Sequence, residues 1–195
     1  MTSPSSLDAL LAHLTGDDEE AAEQAALMIP EHGDTAVQAL TGLFKSPKPE
    51  TRWWAVRALA EFASDDLSGL FGQALADPDP EVRQCAALAL RKNPYPGLST
   101  DLAGLLASQD VFLAHLAADA LIAIGVSAIP ALIEAIDQHH PQARVEASRA
   151  LSQIQAYDAV PTLFRLLDDD SALVAYWAEQ GLEKLGIGMV FYHPS

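Results

Sequence analysis

Three arginines recur at one position of a repeated segment: Arg52 in Pro49-Glu-Thr-Arg52, Arg83 in Pro80-Glu-Val-Arg83 and Arg144 in Pro141-Gln-Ala-Arg144. A guanidinium presents its donors in a rigid fork. Such a row either binds anions or braces turns by reaching carbonyls and acids such as Asp77 or Asp137. Bracing is the first reading, because interface arginines are normally paired. His139-His140 has metal-ligand chemistry, but adjacent helical residues face different ways and no third ligand lies at helical spacing, so a solvated turn is expected. Cys85, the single cysteine, has no base or cation at helical spacing and is read as packed and inert. Alone, it forms no internal disulfide, which fits a reducing cytoplasm. No Ser/His/Asp order, Gly-rich phosphate loop or carboxylate pair stands out, so no catalytic residue, metal ligand or cofactor is assigned.

The elements that would carry these residues are set by two interleaved ladders. Leu10, Leu40, Leu70, Leu102, Leu132 and Leu163 are separated by 30, 30, 32, 30 and 31 residues. Ala25, Ala55, Ala86, Ala117, Ala147 and Ala178 are separated by 30, 31, 31, 30 and 31. Two ladders at one period mean two elements per repeat, copied six times. Each repeat reads as helix A, turn, helix B, turn, with A helices beginning near Leu7, Thr35, Leu67, Leu98, Ala128 and Ala159. Small residues three apart on helix B allow close helix approach, and Gly125 and Gly186 are C-cap glycines. The expected architecture is all-α, a right-handed α-solenoid of about six short helical-hairpin repeats. One domain would span 1–186, with repeats at 1–33, 34–64, 65–95, 96–126, 127–157 and 158–186 and a tail at 187–195. The acidic first repeat is an end cap. The tail would cap the last repeat or order with a partner.

Helical phase selects candidate binding residues. With the ladder alanine facing the core and about 100° per residue, the position two before it points outward: Glu23, Trp53, Gln84, His115, Val145, Tyr176. Two after it gives Leu27, Arg57, Leu88, Asp119, Arg149, Gln180. A concave B-helix face is therefore expected to expose Trp53, His115 and Tyr176, flanked by Arg57, Asp119 and Arg149, the mixture found at interface hot spots. His115 and Asp119, four apart, would pair when the imidazole is charged. Trp54 and Trp177 are assigned to packing between repeats.

Eleven basic and 27 acidic residues give a net charge of −16, and residues 1–100 and 101–195 each carry −8. Nucleic acid and anionic membrane surfaces are disfavoured, since both need a cationic footprint. The acidity serves solubility first, and a basic partner is its second reading. No long uninterrupted apolar run is expected, which speaks against a transmembrane helix. Met1-Thr-Ser-Pro-Ser-Ser6 lacks the basic and apolar regions of a signal peptide.

Asp77-Pro-Asp-Pro-Glu-Val-Arg83 followed by Ala86-Ala-Leu-Ala-Leu90 resembles the HEAT-like repeat named after phycobilisome lyases, and the resemblance runs over about residues 7–186. It implies the solenoid fold and leaves function open, because such repeats occur in bilin lyase subunits, phycobilisome-degradation factors, a di-iron hydroxylase, a DNA glycosylase and scaffolds. The hydroxylase class uses His-Glu dipeptides. His13, His32, His115, His139, His140 and His193 are never followed by Glu, which removes it. The first functional expectation is a non-catalytic scaffold that grips a protein or peptide on the concave B-helix face. The alternative is a bilin lyase subunit or a phycobilisome assembly or degradation factor.

Overall fold

A computed structural model describes residues 6–187 apart from His139. From Gly188 onward the expected cap lies outside the described residues, as does the first half of the His139-His140 pair. The chain divides into two compact units, Met1–Asn93 and Pro94–Ser195.

The first unit holds α1 (Leu7–Leu14), α2 (Glu19–Met28), α3 (Gly33–Leu43), α4 (Pro49–Leu59), α5 (Ser68–Leu75) and α6 (Pro80–Lys92). These pair as α1/α2, α3/α4 and α5/α6, and the second members stack in the order α2, α4, α6. The second unit repeats the plan with α7 (Ser99–Leu105), α8 (Val111–Ile124), α9 (Ile129–Asp137), α10 (Pro141–Ile154), α11 (Val160–Leu166) and α12 (Ala172–Lys184). Here α8, α10 and α12 stack. No strand occurs among the described residues.

Local sequence sets the helix starts. Asp18 Oδ1 accepts from the Ala21 N–H at 3.0 Å, Asp79 Oδ1 from the Glu81 and Val82 N–H groups at 2.9 and 3.3 Å, and Asp110 Oδ1 from the Leu113 N–H at 3.0 Å. Each oxygen satisfies an orphan donor of a first turn. His140 takes the same role for α10, its Nδ1 accepting from the Ala143 N–H at 3.4 Å. Pro49, Pro80 and Pro141 open α4, α6 and α10, where a missing N–H costs nothing.

All six ladder alanines are buried. The A-helix ladder needs one correction. Leu70 is only half-buried, and Phe71 is the third core residue, with no exposed surface. Replacing Leu70 by Phe71 evens the neighbouring spacings to 31 and 31.

A second correction concerns the apolar content. Val111–Asp137 is long and apolar enough to cross a membrane by length and composition, contrary to the expectation of no such run. Gly125, at φ 75°, breaks it into α8 and α9. Its Leu113, Leu116, Leu121, Leu132 and Ile136 are buried in the fold.

Candidate functional site

The arginine row braces turns. Arg52 donates from Nε to Asp77 Oδ2 at 2.8 Å and from Nη2 to Asp77 Oδ1 at 2.7 Å, while its Nη1 donates to the Ser46 and Pro47 carbonyls. Arg83 Nη1 donates to the Asp77 and Pro78 carbonyls at 2.8 and 3.0 Å. Arg144 pairs with Asp169. The guanidinium thus reads the carbonyls of the turn before its own helix, the acid of the following turn, or both. Burial alone would push the Arg52 charge down and the Asp77 carboxyl up. The paired hydrogen bonds outweigh it, raising Arg52 and holding Asp77 below the usual carboxylate range. Among the described residues Asp137 braces no turn and pairs instead with Arg165 at 2.8 Å.

In the first unit, α2, α4 and α6 carry an open cleft of about 750 Å³ lined by Glu19, Glu23, Pro49, Glu50, Trp53, Trp54, Asp79, Glu81 and Gln84. Trp53 and Trp54 meet edge to face, with ring centroids 4.8 Å apart and planes at 85°. Both rings are half-buried. Trp53 therefore stands less exposed than expected, and Trp54, expected between repeats, lines the cleft beside it. The arrangement follows from adjacency: residues one apart on α4 diverge by about 100°, so the two rings form a corner.

Arg57 does not face the cleft as a free cation. Its Nη1 donates to Glu61 Oε1 at 2.6 Å and its Nη2 to Glu23, while Lys92 bonds the other Glu61 oxygen at 2.5 Å. These four charges tie α2, α4 and α6 together. Burial would raise the Glu61 carboxyl, but Lys92 and Arg57 hold it below its ordinary value. Behind the cleft, burial pushes the Cys85 thiol up to about 12, with Arg57 opposing weakly. Its sulfur lies 3.9 Å from the Trp53 carbonyl. An uncharged, enclosed thiol is inert toward electrophiles.

In the second unit the expected cluster is rearranged. Arg149 is only 9% exposed and is not a flanking surface group. Its Nε donates to Glu146 at 2.9 Å, Nη1 to Asp119 at 3.0 Å and Nη2 to the His115 carbonyl at 3.3 Å. Asp119 is thereby bonded to Arg149. The exposed His115 ring faces Glu146, Nδ1 to Oε2 at 3.6 Å, instead of the expected Asp119. Tyr176 is 49% exposed and lies against the half-buried Trp177 at 5.1 Å. So His115 and Tyr176 face solvent, while Asp119 and Arg149 are structural.

Phase arithmetic also missed a row. The position five before the ladder alanine lies about 60° from the position two before it and faces the same side. In the first unit it reads Glu20, Glu50, Glu81, and in the second Phe112, Gln142, Leu173. The three glutamates are exposed, as are Phe112 and Leu173. This row supplies Glu50 and Glu81 to the cleft.

Stacked helical hairpins with a buried alanine ladder define an α-solenoid repeat protein. The HEAT-repeat family model matches residues 7–91, 38–122 and 102–183, and the chain belongs to that family. Among solved structures it is similar to an engineered protein, with 27% identity over 93% of this chain and 97% of that one and a TM-score of 0.54. It is also similar to the complex of CpcE and CpcF of phycocyanin lyase from Nostoc (22% identity, 95% and 79% covered, TM-score 0.55). A designed armadillo repeat protein in complex with the peptide (KR)4 matches at 21% identity, with 93% and 100% covered and a TM-score of 0.53. The last two likenesses speak for the fold alone. No curated protein matches the sequence.

Proposed function

We propose that the chain is a non-catalytic interaction scaffold that binds a protein or peptide on the outward face of its B helices. The observation carrying this reading is the tryptophan-walled cleft over α2, α4 and α6. Its volume suits a few side chains of a partner. Large aromatic rings left accessible on a packed scaffold are the residues that dominate binding energy elsewhere. In the second unit Phe112 on α8 and Leu173 and Tyr176 on α12 are exposed apolar side chains on B helices.

The test is a selection of binders from a displayed random peptide library, followed by titration against Trp53→Ala and Tyr176→Ala. The expected result is binders that lose about 2 kcal/mol, roughly 30-fold in affinity, on one of these truncations. Binders indifferent to every B-helix surface substitution would refute the face.

The second reading is a bilin lyase subunit or a phycobilisome assembly or degradation factor. The observation in its favour is the fold match to the CpcE–CpcF complex. Mixing the protein with a free tetrapyrrole and apo-phycocyanin separates the readings. Spectral change or pigment transfer favours the lyase, and an unchanged spectrum favours the scaffold.

A further inference from the structure

We propose that the cleft over α2, α4 and α6 binds an extended peptide through its arginine or lysine side chains. This rests on the scaffold reading and names the partner chemistry.

The wall and the charge point to the same group. Trp53 and Trp54 form a corner, and an indole face is the best aromatic partner for a cation. Five of the nine lining residues are acidic and none is basic. Glu23 is held by Arg57, and Asp79 accepts from backbone N–H groups. Glu19, Glu50 and Glu81 make no ion pair among the described residues. An anion would therefore meet repulsion, and a neutral apolar group would leave the carboxylates desolvated and unmatched. A guanidinium or ammonium satisfies both surfaces.

Spacing argues for a chain over a compact ion. Among the described residues no three acidic, His or Cys side chains converge as metal ligands would. The acids without an ion pair come one from each B helix, Glu19, Glu50 and Glu81, and stacked helices lie about 8–10 Å apart. An extended chain covers that distance in about three residues. A peptide with several basic side chains can thus meet Glu19, Glu50 and Glu81 in turn, whereas one small cation meets only one of them.

The probe is the alternating Lys-Arg octapeptide (KR)4, titrated into the full chain and followed by tryptophan emission. Two of the three tryptophans lie in the cleft, so emission reports on it. The expected result is binding that weakens steeply with salt, at least about tenfold weaker in Trp53→Ala and about threefold weaker in each of Glu50→Gln and Glu81→Gln. Asp101→Asn, an exposed acid on α7 outside the cleft, should leave binding unchanged. The glutamates are exposed, so their variants keep the fold, which circular dichroism checks. Equal losses in Asp101→Asn and Glu50→Gln would assign the attraction to net charge and overturn the site. If (KR)4 does not bind while a neutral library peptide does, and that peptide is lost on Trp53→Ala, the cation assignment falls and the scaffold reading stands. If no peptide responds to any B-helix surface substitution, both fall.

Discussion

Two arginine–aspartate pairs differ in burial and in geometry, one a buried fork and the other an exposed single bond, and both differences should raise the value of the first. In Arg52–Asp77 the side chains are 12% and 4% exposed, and in Arg165–Asp137 they are 54% and 51% exposed. Arg52 donates twice to Asp77 in the fork geometry. Charge-assisted hydrogen bonds contribute about 1.5–3 kcal/mol when well enclosed, and some of that is lost because Arg52 retains water contact. A coupling energy of about 2 kcal/mol is expected for Arg52–Asp77. For Arg165–Asp137, solvent screening and side-chain entropy leave about 0.5 kcal/mol. Arg52→Ala alone should cost more than the coupling, because it also strips the Ser46 and Pro47 carbonyls and leaves the buried Asp77 carboxylate without its ion-pair partner, held only by the Asp79 N–H and the nearby Arg83 charge.

The assay is a double-mutant cycle for each pair by guanidinium denaturation. The acid dependence follows from Asp77. Its folded carboxyl is held below the ordinary value, so its contribution is complete above the unfolded value of about 3.9. It is lost only as pH falls through the lower folded value. The coupling should be equal at pH 7 and pH 5 and fade below about pH 4. A coupling under about 0.5 kcal/mol for Arg52–Asp77, one no larger than that of Arg165–Asp137, or its disappearance by pH 5 would each refute the reasoning.

Two further perturbations test the packing. A Cβ added at Gly181 would meet Leu163 Cδ1 at 2.9 Å and Ser152 Cα at 3.1 Å; since backbone cannot yield cheaply, Gly181→Ala should lose about 1 kcal/mol, the overpacking cost exceeding the helix-propensity gain. An unchanged or higher denaturation midpoint would mean that α10 and α12 are not in close contact there. Gln155, at φ 52° and ψ 43°, has a positive φ at the place where Gly125 and Gly186 have one a repeat away on either side. Gln155→Gly should therefore stabilise by about 1 kcal/mol by removing the side-chain conflict, measurable by the same denaturation curves.

The backbone plan was legible because packing repeats faithfully. Six alanines in register must be small for the same reason six times, and all six are buried. Leu70 shows the limit: matching by residue type selected a leucine, whereas matching by phase selects Phe71, which keeps the period. Gly125 and Gly186 were legible from cap chemistry. Gln155 was not, since nothing in a glutamine announces a positive φ.

The side-chain partnerships failed for a more general reason. Spacing along one helix pairs residues four apart, which puts His115 with Asp119. In a stacked array a B helix also touches its copy one period away, so partners lie near thirty residues off. Arg149 reaches Asp119 and the His115 carbonyl at separations of 30 and 34, Arg57 reaches Glu23 at 34, and Lys92 reaches Glu61 at 31. Turn-bracing arginines follow a second offset, 25 residues from Arg52 to Asp77 and from Arg144 to Asp169. The first offset is the period itself, and the second is the period less the six residues that separate the arginine from the turn before its own helix. Applied to the sequence, they pick out Arg52, Arg57, Arg144 and Arg149 as arginines that hold helices together, and they leave Glu50 and Glu81 without an ion pair among the described residues. What remains unpaired after that subtraction is the surface available to a partner. In the first unit it is carboxylate around two indoles, and in the second it is Phe112, Leu173 and Tyr176 on the equivalent helices, so one scaffold geometry presents two different chemistries.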